Sequence, residues 1–261
     1  MKNSQQEFRI TNHFLSKRIL PILLIIIISL LCFTTAQAET IFGMNKVQAQ
    51  PRDWLYISNS HFKVYYPVGY DTLAYFALRS LNKGYYRLKN DFGFEPDNII
   101  PVIIYANPNE FQETNIIYAI LGEGVGGFTE SLKNRVVVPF NGSWNDFDYT
   151  LRHELVHAFT FDFFFGKKRG GIFSPSRVFE LPMWFSEGLA EFESKEWTVE
   201  DESYVRDLVI NGLDEPLGQL WGFKAYRQGQ AVVRYIARKY GRKKLGSILS
   251  KSILYLSLDK G

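Results

Sequence analysis

Residues 146–164 read DFDYTLRHELVHAFTFDFF, and the interpretation of the chain starts from them. His153 and His157 lie four positions apart, so a helix places their side chains one turn apart on the same face. The opposite face is apolar and predicts burial on that side. Its members are Leu151, Leu155 and Phe159. Two imidazoles in this arrangement can bind one metal ion, although the same spacing also occurs in proteins that bind none.

Glu154 lies about 100° further round this helix than His153. It is too far round to bind the same ion directly, but it can reach a water molecule at the ion and suits a general base. Catalytic zinc generally keeps three protein ligands and one open position for water. We therefore expect a third ligand elsewhere in the chain.

The candidate third ligand is Glu187, in the segment LPMWFSEGLAEF at positions 181–192. A helix is predicted over 182–194, and the neighbours of Glu187 are apolar. A carboxylate is costly in such surroundings unless it is solvated or paired with a cation, which a metal ion would supply. The alternative is that Glu187 and Glu191 form an exposed acidic face.

Together, residues 153–157 and 184–191 resemble the gluzincin metallopeptidases, especially bacterial peptidase-MA-like domains, and are similar to the aminopeptidase N family. The resemblance implies zinc bound by His153, His157 and Glu187, with Glu154 as general base. It is specific over residues 145–241. The interval between the second histidine and the glutamate is longer here than in aminopeptidase N or thermolysin-like members.

Tyr226, in the stretch Tyr-Arg-Gln-Gly at 226–229, resembles the tyrosine that stabilises the oxyanion in the aminopeptidase N family. The resemblance implies the same role for Tyr226, and an ordinary core role is the alternative. A ligating imidazole usually donates its other ring N–H to a carboxylate. Glu191 and Asp162 are the candidates for that support. His61 is far from the motif and is interpreted as a packed or surface histidine.

The chain has 261 residues, of which 46% are hydrophobic and 22% charged, enough to bury a core. Its formal charge of +3 resides in residues 1–38, because residues 39–261 contain 26 basic and 26 acidic side chains. A neutral body gives no reason to expect a nucleic-acid partner.

Residues 1–38 are typical of a secretory signal peptide: basic residues precede an apolar run at 19–33, and Ala-Gln-Ala follows at 36–38. We expect cleavage and export to the periplasm or the extracellular space. An uncleaved membrane anchor is the alternative, but the run is short for a spanning helix. The only cysteine, Cys32, lies in this segment, so the mature chain can form no disulfide.

The remaining sequence predicts an α+β fold of the zincin type in two parts. Residues 39–144 are expected to form a mixed subdomain with strands, a hairpin and an edge strand beside the cleft within 126–140. Residues 145–261 are expected to be helical. The predicted strands and their hairpin lie at 61–66, 99–105, 128–131 and 135–140. The predicted helices lie at 70–92, 108–114, 146–164, 182–194, 199–210, 224–240 and 242–255.

The expected function is hydrolysis of peptide bonds outside the cytoplasm by a zinc metallopeptidase acting on a peptide or protein substrate. One alternative is a non-catalytic module of a larger cell-envelope protein that holds zinc for folding. Another is a metal-free envelope protein. The abrupt end after an apolar helix and the resemblance favour a longer protein, in which a further C-terminal domain such as a β-propeller would follow.

Overall fold

The structure is a computed structural model that describes residues 51–114, 116, 117, 121, 124–166 and 181–255, with the backbone alone at 253–255. The predicted signal peptide at 1–38 lies outside the described residues. So do residues 167–177, which contain the basic run Lys167-Lys168-Arg169 and are expected from the sequence to form a solvated loop. So does the end of the chain from 256. Among the helices of the described part, none has the length and apolarity needed to cross a bilayer.

A five-stranded mixed sheet forms the N-terminal part, in the order β1-β2-β3-β5-β4. The three central strands are parallel and the two edge strands, β1 and β4, are antiparallel to their neighbours. The strands are β1 Trp54–Ser58, β2 Phe62–Pro67, β3 Ile100–Tyr105, β4 Phe128–Glu130 and β5 Arg135–Pro139. The predicted strands and the hairpin are confirmed. The sequence analysis missed β1, whose side chains are mostly exposed and lack the alternation of a half-buried strand.

Seven α-helices and one short 3-10 helix, Leu217–Gln219, accompany the sheet in the described residues. The α-helices are α1 Asp71–Phe92, α2 Pro108–Gln112, α3 Trp144–Phe165, α4 Met183–Ser194, α5 Val199–Ile210, α6 Gly222–Tyr240 and α7 Lys243–Tyr255. All seven predicted helices are confirmed, with ends that shift by at most a few residues. The fold is therefore α+β, with a small sheet followed by a helical part.

Capping residues explain several of these boundaries. The Ser143 side chain accepts a hydrogen bond from the main chain of Asp146 and begins α3. Thr198 and Asp201 form a reciprocal capping box at the start of α5. Gly93 adopts a left-handed conformation that ends α1.

The main core lies between one face of the sheet and helices α1 and α3. Alternate residues of the parallel strands, such as Val64, Val102 and Val136, pack against these helices. The opposite face is covered in part by α2 through Phe111, which packs against Val137. Helix α3 is thus buried on its sheet-facing side, which leaves its histidine-bearing side for the helices that follow.

Helices α4 and α6 cross in backbone contact at a pair of glycines. A Cβ atom on Gly188 would lie 2.3 Å from the carbonyl carbon of Gly229. A Cβ on Gly229 would lie 2.1 Å from the carbonyl oxygen of Trp184. Only glycine at both positions permits this approach, and it brings residue 226 on α6 close to residue 187 on α4.

Candidate metal centre

His153, His157 and Glu187 converge on one point. The Nε2 atoms of the two histidines are 3.3 Å apart. Glu187 Oε2 lies 3.3 Å from His153 Nε2 and 3.5 Å from His157 Nε2. The first two residues come from adjacent turns of α3, and the third comes from the first turns of α4. The structure thus brings together all three residues that the sequence analysis named as ligands.

The spacing of these atoms is the spacing that a tetrahedral metal site requires. Ligands at about 2.0–2.2 Å from a zinc ion in tetrahedral geometry are about 3.3–3.6 Å from one another. All three separations fall in that range. Two imidazoles and one carboxylate are also a donor set found in catalytic zinc sites. The three residues therefore fit a divalent ion of this kind.

The same three side chains also interact with one another electrostatically. Burial disfavours the charged form of His153, but the carboxylates of Glu187 and Glu191 outweigh it and raise the pKa of His153 to about 10. Burial also acts to raise the pKa of Glu187, yet both imidazoles hold that pKa well below its usual range. A carboxylate kept ionised beside two imidazoles is a site that favours positive charge.

Glu154 is buried beside the triad and is held by a residue of the sheet. Its Oε2 atom accepts a hydrogen bond of 2.8 Å from Thr129 Oγ1 on the edge strand β4. Its negative charge contributes to the raised pKa of His153 and of Tyr226. The predicted general base therefore lies within electrostatic reach of both.

Tyr226 faces the same cluster from α6. Its ring is parallel to the His153 ring within 12°, with centroids 6.0 Å apart. Burial and the neighbouring carboxylate of Glu187 raise the pKa of its hydroxyl. Tyr226 is thus a protonated donor at neutral pH. The close crossing of α4 and α6 at Gly188 and Gly229 accounts for its position.

Behind His153, Glu191 occupies the place expected for a supporting carboxylate. Its Oε1 atom is 3.3 Å from His153 Nδ1, although the pair is not aligned as a hydrogen bond. Tyr149 donates its hydroxyl to the same oxygen, and Arg227 Nη1 lies 3.0 Å from Oε2. A carboxylate at Nδ1 favours the tautomer whose Nε2 lone pair faces the triad.

The other predicted support, Asp162, accepts a hydrogen bond of 3.0 Å from the main-chain nitrogen of Asp97. His61 stacks on Tyr85 with ring centroids 3.9 Å apart, consistent with its interpretation as a packed histidine. Sequence reasoning did not find Thr129 or Tyr149, since nothing in the spacing of single residues marks them.

Comparison with known proteins adds no relative: no family profile matches the chain, and no curated protein matches it significantly. The functional interpretation therefore depends on the residues and their geometry.

Proposed function

We propose that this protein is a zinc-dependent peptidase that acts outside the cytoplasm. The observation that carries the proposal is the mutual spacing of the Nε2 atoms of His153 and His157 and of Glu187 Oε2, 3.3 to 3.5 Å. Export is inferred from the sequence of residues 1–38 alone.

His153, His157 and Glu187 would hold the zinc ion through one atom each, which leaves a fourth tetrahedral position for water or substrate. When bound, zinc would supply Lewis acidity, which lowers the pKa of water from 15.7 to about 7 and polarises a carbonyl group.

Glu154 acts as the general base in this proposal. It takes a proton from the attacking water and returns it to the nitrogen of the leaving amine. Its burial and the hydrogen bond that its carboxylate accepts from Thr129 limit the orientations that it can adopt.

Tyr226 is the proposed electrophilic partner. Because burial and Glu187 raise the pKa of its hydroxyl, Tyr226 keeps its proton at neutral pH. It can then donate a hydrogen bond to the carbonyl oxygen of the substrate as negative charge develops there. Such donors contribute about 3 kcal/mol in comparable sites.

The test combines metal analysis with a peptide-cleavage assay on the mature protein. We expect about one equivalent of zinc in the parent, and cleavage products from a broad peptide library detected by mass spectrometry. Glu154→Gln should keep the zinc and lower turnover by about 10²- to 10⁴-fold. His157→Ala should lose the metal.

Other outcomes would overturn the proposal in distinguishable ways. Zinc binding without cleavage by the parent would favour the non-catalytic zinc module. Equal zinc content in the parent and His157→Ala would reject the site itself. Export is tested separately, by N-terminal sequencing of the protein from a fractionated expression host.

A further inference from the structure

Thr129 contacts the proposed general base at two points. Its Oγ1 atom is 2.8 Å from Glu154 Oε2 and 2.9 Å from the main-chain oxygen of Glu154. An ionised carboxylate and a main-chain carbonyl only accept hydrogen bonds, so Thr129 donates its one hydroxyl proton and the two Glu154 oxygens share it. The contact fixes one oxygen of the carboxylate and leaves Oε1 for proton exchange.

The hairpin that carries Thr129 is held in place by polar contacts of its own. Glu130 Oε1 accepts a hydrogen bond of 2.7 Å from the main chain of Leu132, and Glu130 Oε2 lies 3.0 Å from Arg135 Nε. At the turn, Asn134 adopts a left-handed conformation. Its side chain donates to the main-chain oxygen of Ala158 at 3.0 Å. The hairpin is thus attached to α3 beside Glu154 and again one turn later.

The chain entering β4 also confines the stem of Glu154. A Cβ on Gly127 would lie 2.9 Å from Thr150 Cγ2, 3.2 Å from the Val137 carbonyl oxygen and 3.3 Å from Glu154 Cγ. The backbone at 127 therefore passes close to the methylene groups of Glu154. With the stem packed and one oxygen bonded, few rotamers remain for this side chain.

We infer that Thr129 is a positioning residue for the reaction, which holds the Glu154 carboxylate in the orientation needed for proton transfer. This inference rests on the proposed function. In this role Thr129 acts through Glu154, the residue that it contacts. A general base is effective only within hydrogen-bond reach of the proton that it takes, so a loose carboxylate slows turnover more than it weakens substrate binding.

The experiment compares Thr129→Val and Thr129→Ser with the parent as zinc-loaded full-length proteins. We expect kcat to fall about ten- to hundredfold in Thr129→Val, with KM and zinc content unchanged. Thr129→Ser, which keeps the hydroxyl, should remain within about twofold. Thr150→Val is the matched control, since it removes a hydroxyl from the same region and leaves the pair of Thr129 and Glu154 in place.

A second measurement does not depend on turnover. In protein labelled with ¹³C-glutamate, the Glu154 carboxyl signal is assigned by its loss in Glu154→Gln. We expect this signal to shift in Thr129→Val and to stay near its parental position in Thr129→Ser and Thr150→Val. In the Glu154→Gln background, adding Thr129→Val should cost no further activity.

Parental kcat in a folded, zinc-loaded Thr129→Val, or an unmoved Glu154 signal, would overturn this inference and leave the proposed function intact. A parent that binds zinc and cleaves nothing would overturn the proposed function and the positioning role together. If Thr129→Val fails to fold, Thr129→Ala and Thr129→Ser supply the same comparison, and equal kcat in these two rejects the role.

Discussion

Glu191 and Glu193 lie two residues apart on α4, and both are almost fully buried, with exposed fractions of 1% and 3%. Their side chains point to different parts of the molecule. Glu191 faces His153 and the candidate metal centre, whereas Glu193 faces the junction of α1 and α7 through Arg87 and Arg242. The two carboxylates share a helix and a degree of burial but not their surroundings.

Around Glu191, both oxygens have polar partners. Oε1 is near Tyr149 and His153, and Oε2 is near Arg227 and Lys195. Burial acts to raise the pKa of Glu191, but the neighbouring His153 ring, the hydrogen bond from Tyr149 and the cation of Lys195 keep it below the usual value. This carboxylate remains ionised, as support for an imidazole requires.

Around Glu193, polar partners offset only part of the cost of burying the carboxylate. Arg242 Nη2 lies 2.5 Å and Arg87 Nε lies 3.1 Å from the same oxygen, Oε2. The Oε1 atom has no hydrogen-bond partner among the described residues, and Arg242 is shared with Asp91. Burial dominates and raises the pKa of Glu193 to about 7. Equal burial therefore gives opposite shifts, because donors reach both oxygens of one carboxylate and only one oxygen of the other.

The largest expected difference concerns zinc content. Glu187→Gln removes the carboxylate ligand from the triad. Glu193→Gln changes a buried carboxylate on the same helix, but that side chain does not face the triad. After dialysis against a weak chelator, we expect about one equivalent of zinc in the parent and in Glu193→Gln, and almost none in Glu187→Gln. Elemental analysis measures this. Similar zinc content in the two variants would contradict the assigned ligand set.

A smaller effect is expected from the supporting carboxylate. Glu191→Gln keeps the shape of the side chain but removes the charge behind His153. We expect zinc affinity to fall by about 10- to 100-fold, measured by competition with a chromogenic chelator. Glu193→Gln, with the same change two residues later, should bind zinc as the parent does. If the two variants have equal affinity, Glu191 does not support the site.

The raised pKa of Glu193 predicts a distinct dependence of stability on pH. Between the usual pKa of 4.5 and about 7, the folded protein holds a proton that the unfolded chain releases. The free energy of unfolding should therefore decrease as pH rises through this window, by about 3 kcal/mol in total.

Glu193→Gln cannot titrate and should lack this component. Urea unfolding of the parent and of Glu193→Gln, both without metal, at pH 5 and pH 8 measures the difference. Groups that do not interact with Glu193, such as His153, cancel between the two proteins. Parallel stability changes in the two proteins would show that Glu193 has an ordinary pKa.

The smallest effect is expected at the start of α5, where Asp201 shares Lys195 and Arg227 with Glu191. Thr198→Ala removes the cap of α5 and one partner of Asp201, which still pairs with Lys195 and Arg227. We expect a loss of about 1 kcal/mol in unfolding free energy and little change in zinc affinity. Ser143→Ala, at the start of α3, is a matched cap deletion. A large loss of zinc in Thr198→Ala, but not in Ser143→Ala, would show that zinc binding also depends on the start of α5.

Most of the secondary structure could be predicted because its signals are local. The period of apolar residues and the capping residues lie within a few positions of each element that they define. Strand β1 was missed because its mostly exposed side chains carry no such pattern. The order of strands in the sheet was not predicted, since pairing depends on contacts between distant parts of the chain.

The same distinction between local signals and long-range contacts applies to the candidate site. The partners that sequence reasoning missed meet across long separations: Thr129 and Glu154 are 25 residues apart, and Arg227 and Glu191 are 36 apart. A threonine or arginine at such a distance looks like any other surface residue until the chain is folded. The glycine contact that brings α6 close to α4 is equally invisible, because neither Gly188 nor Gly229 lies in a turn.

By itself, the sequence determined that two imidazoles lie on one face of one helix, because a helical turn of 3.6 residues places positions 153 and 157 together. Tertiary structure alone decided that a carboxylate from α4 lies 3.3 to 3.5 Å from both rings. It also decided that a tyrosine from α6 and a threonine from β4 face the same cluster. The physical reason is that helix geometry depends on residues a few positions apart. The packing of α3, α4, α6 and the edge strand depends on contacts between residues far apart in the chain.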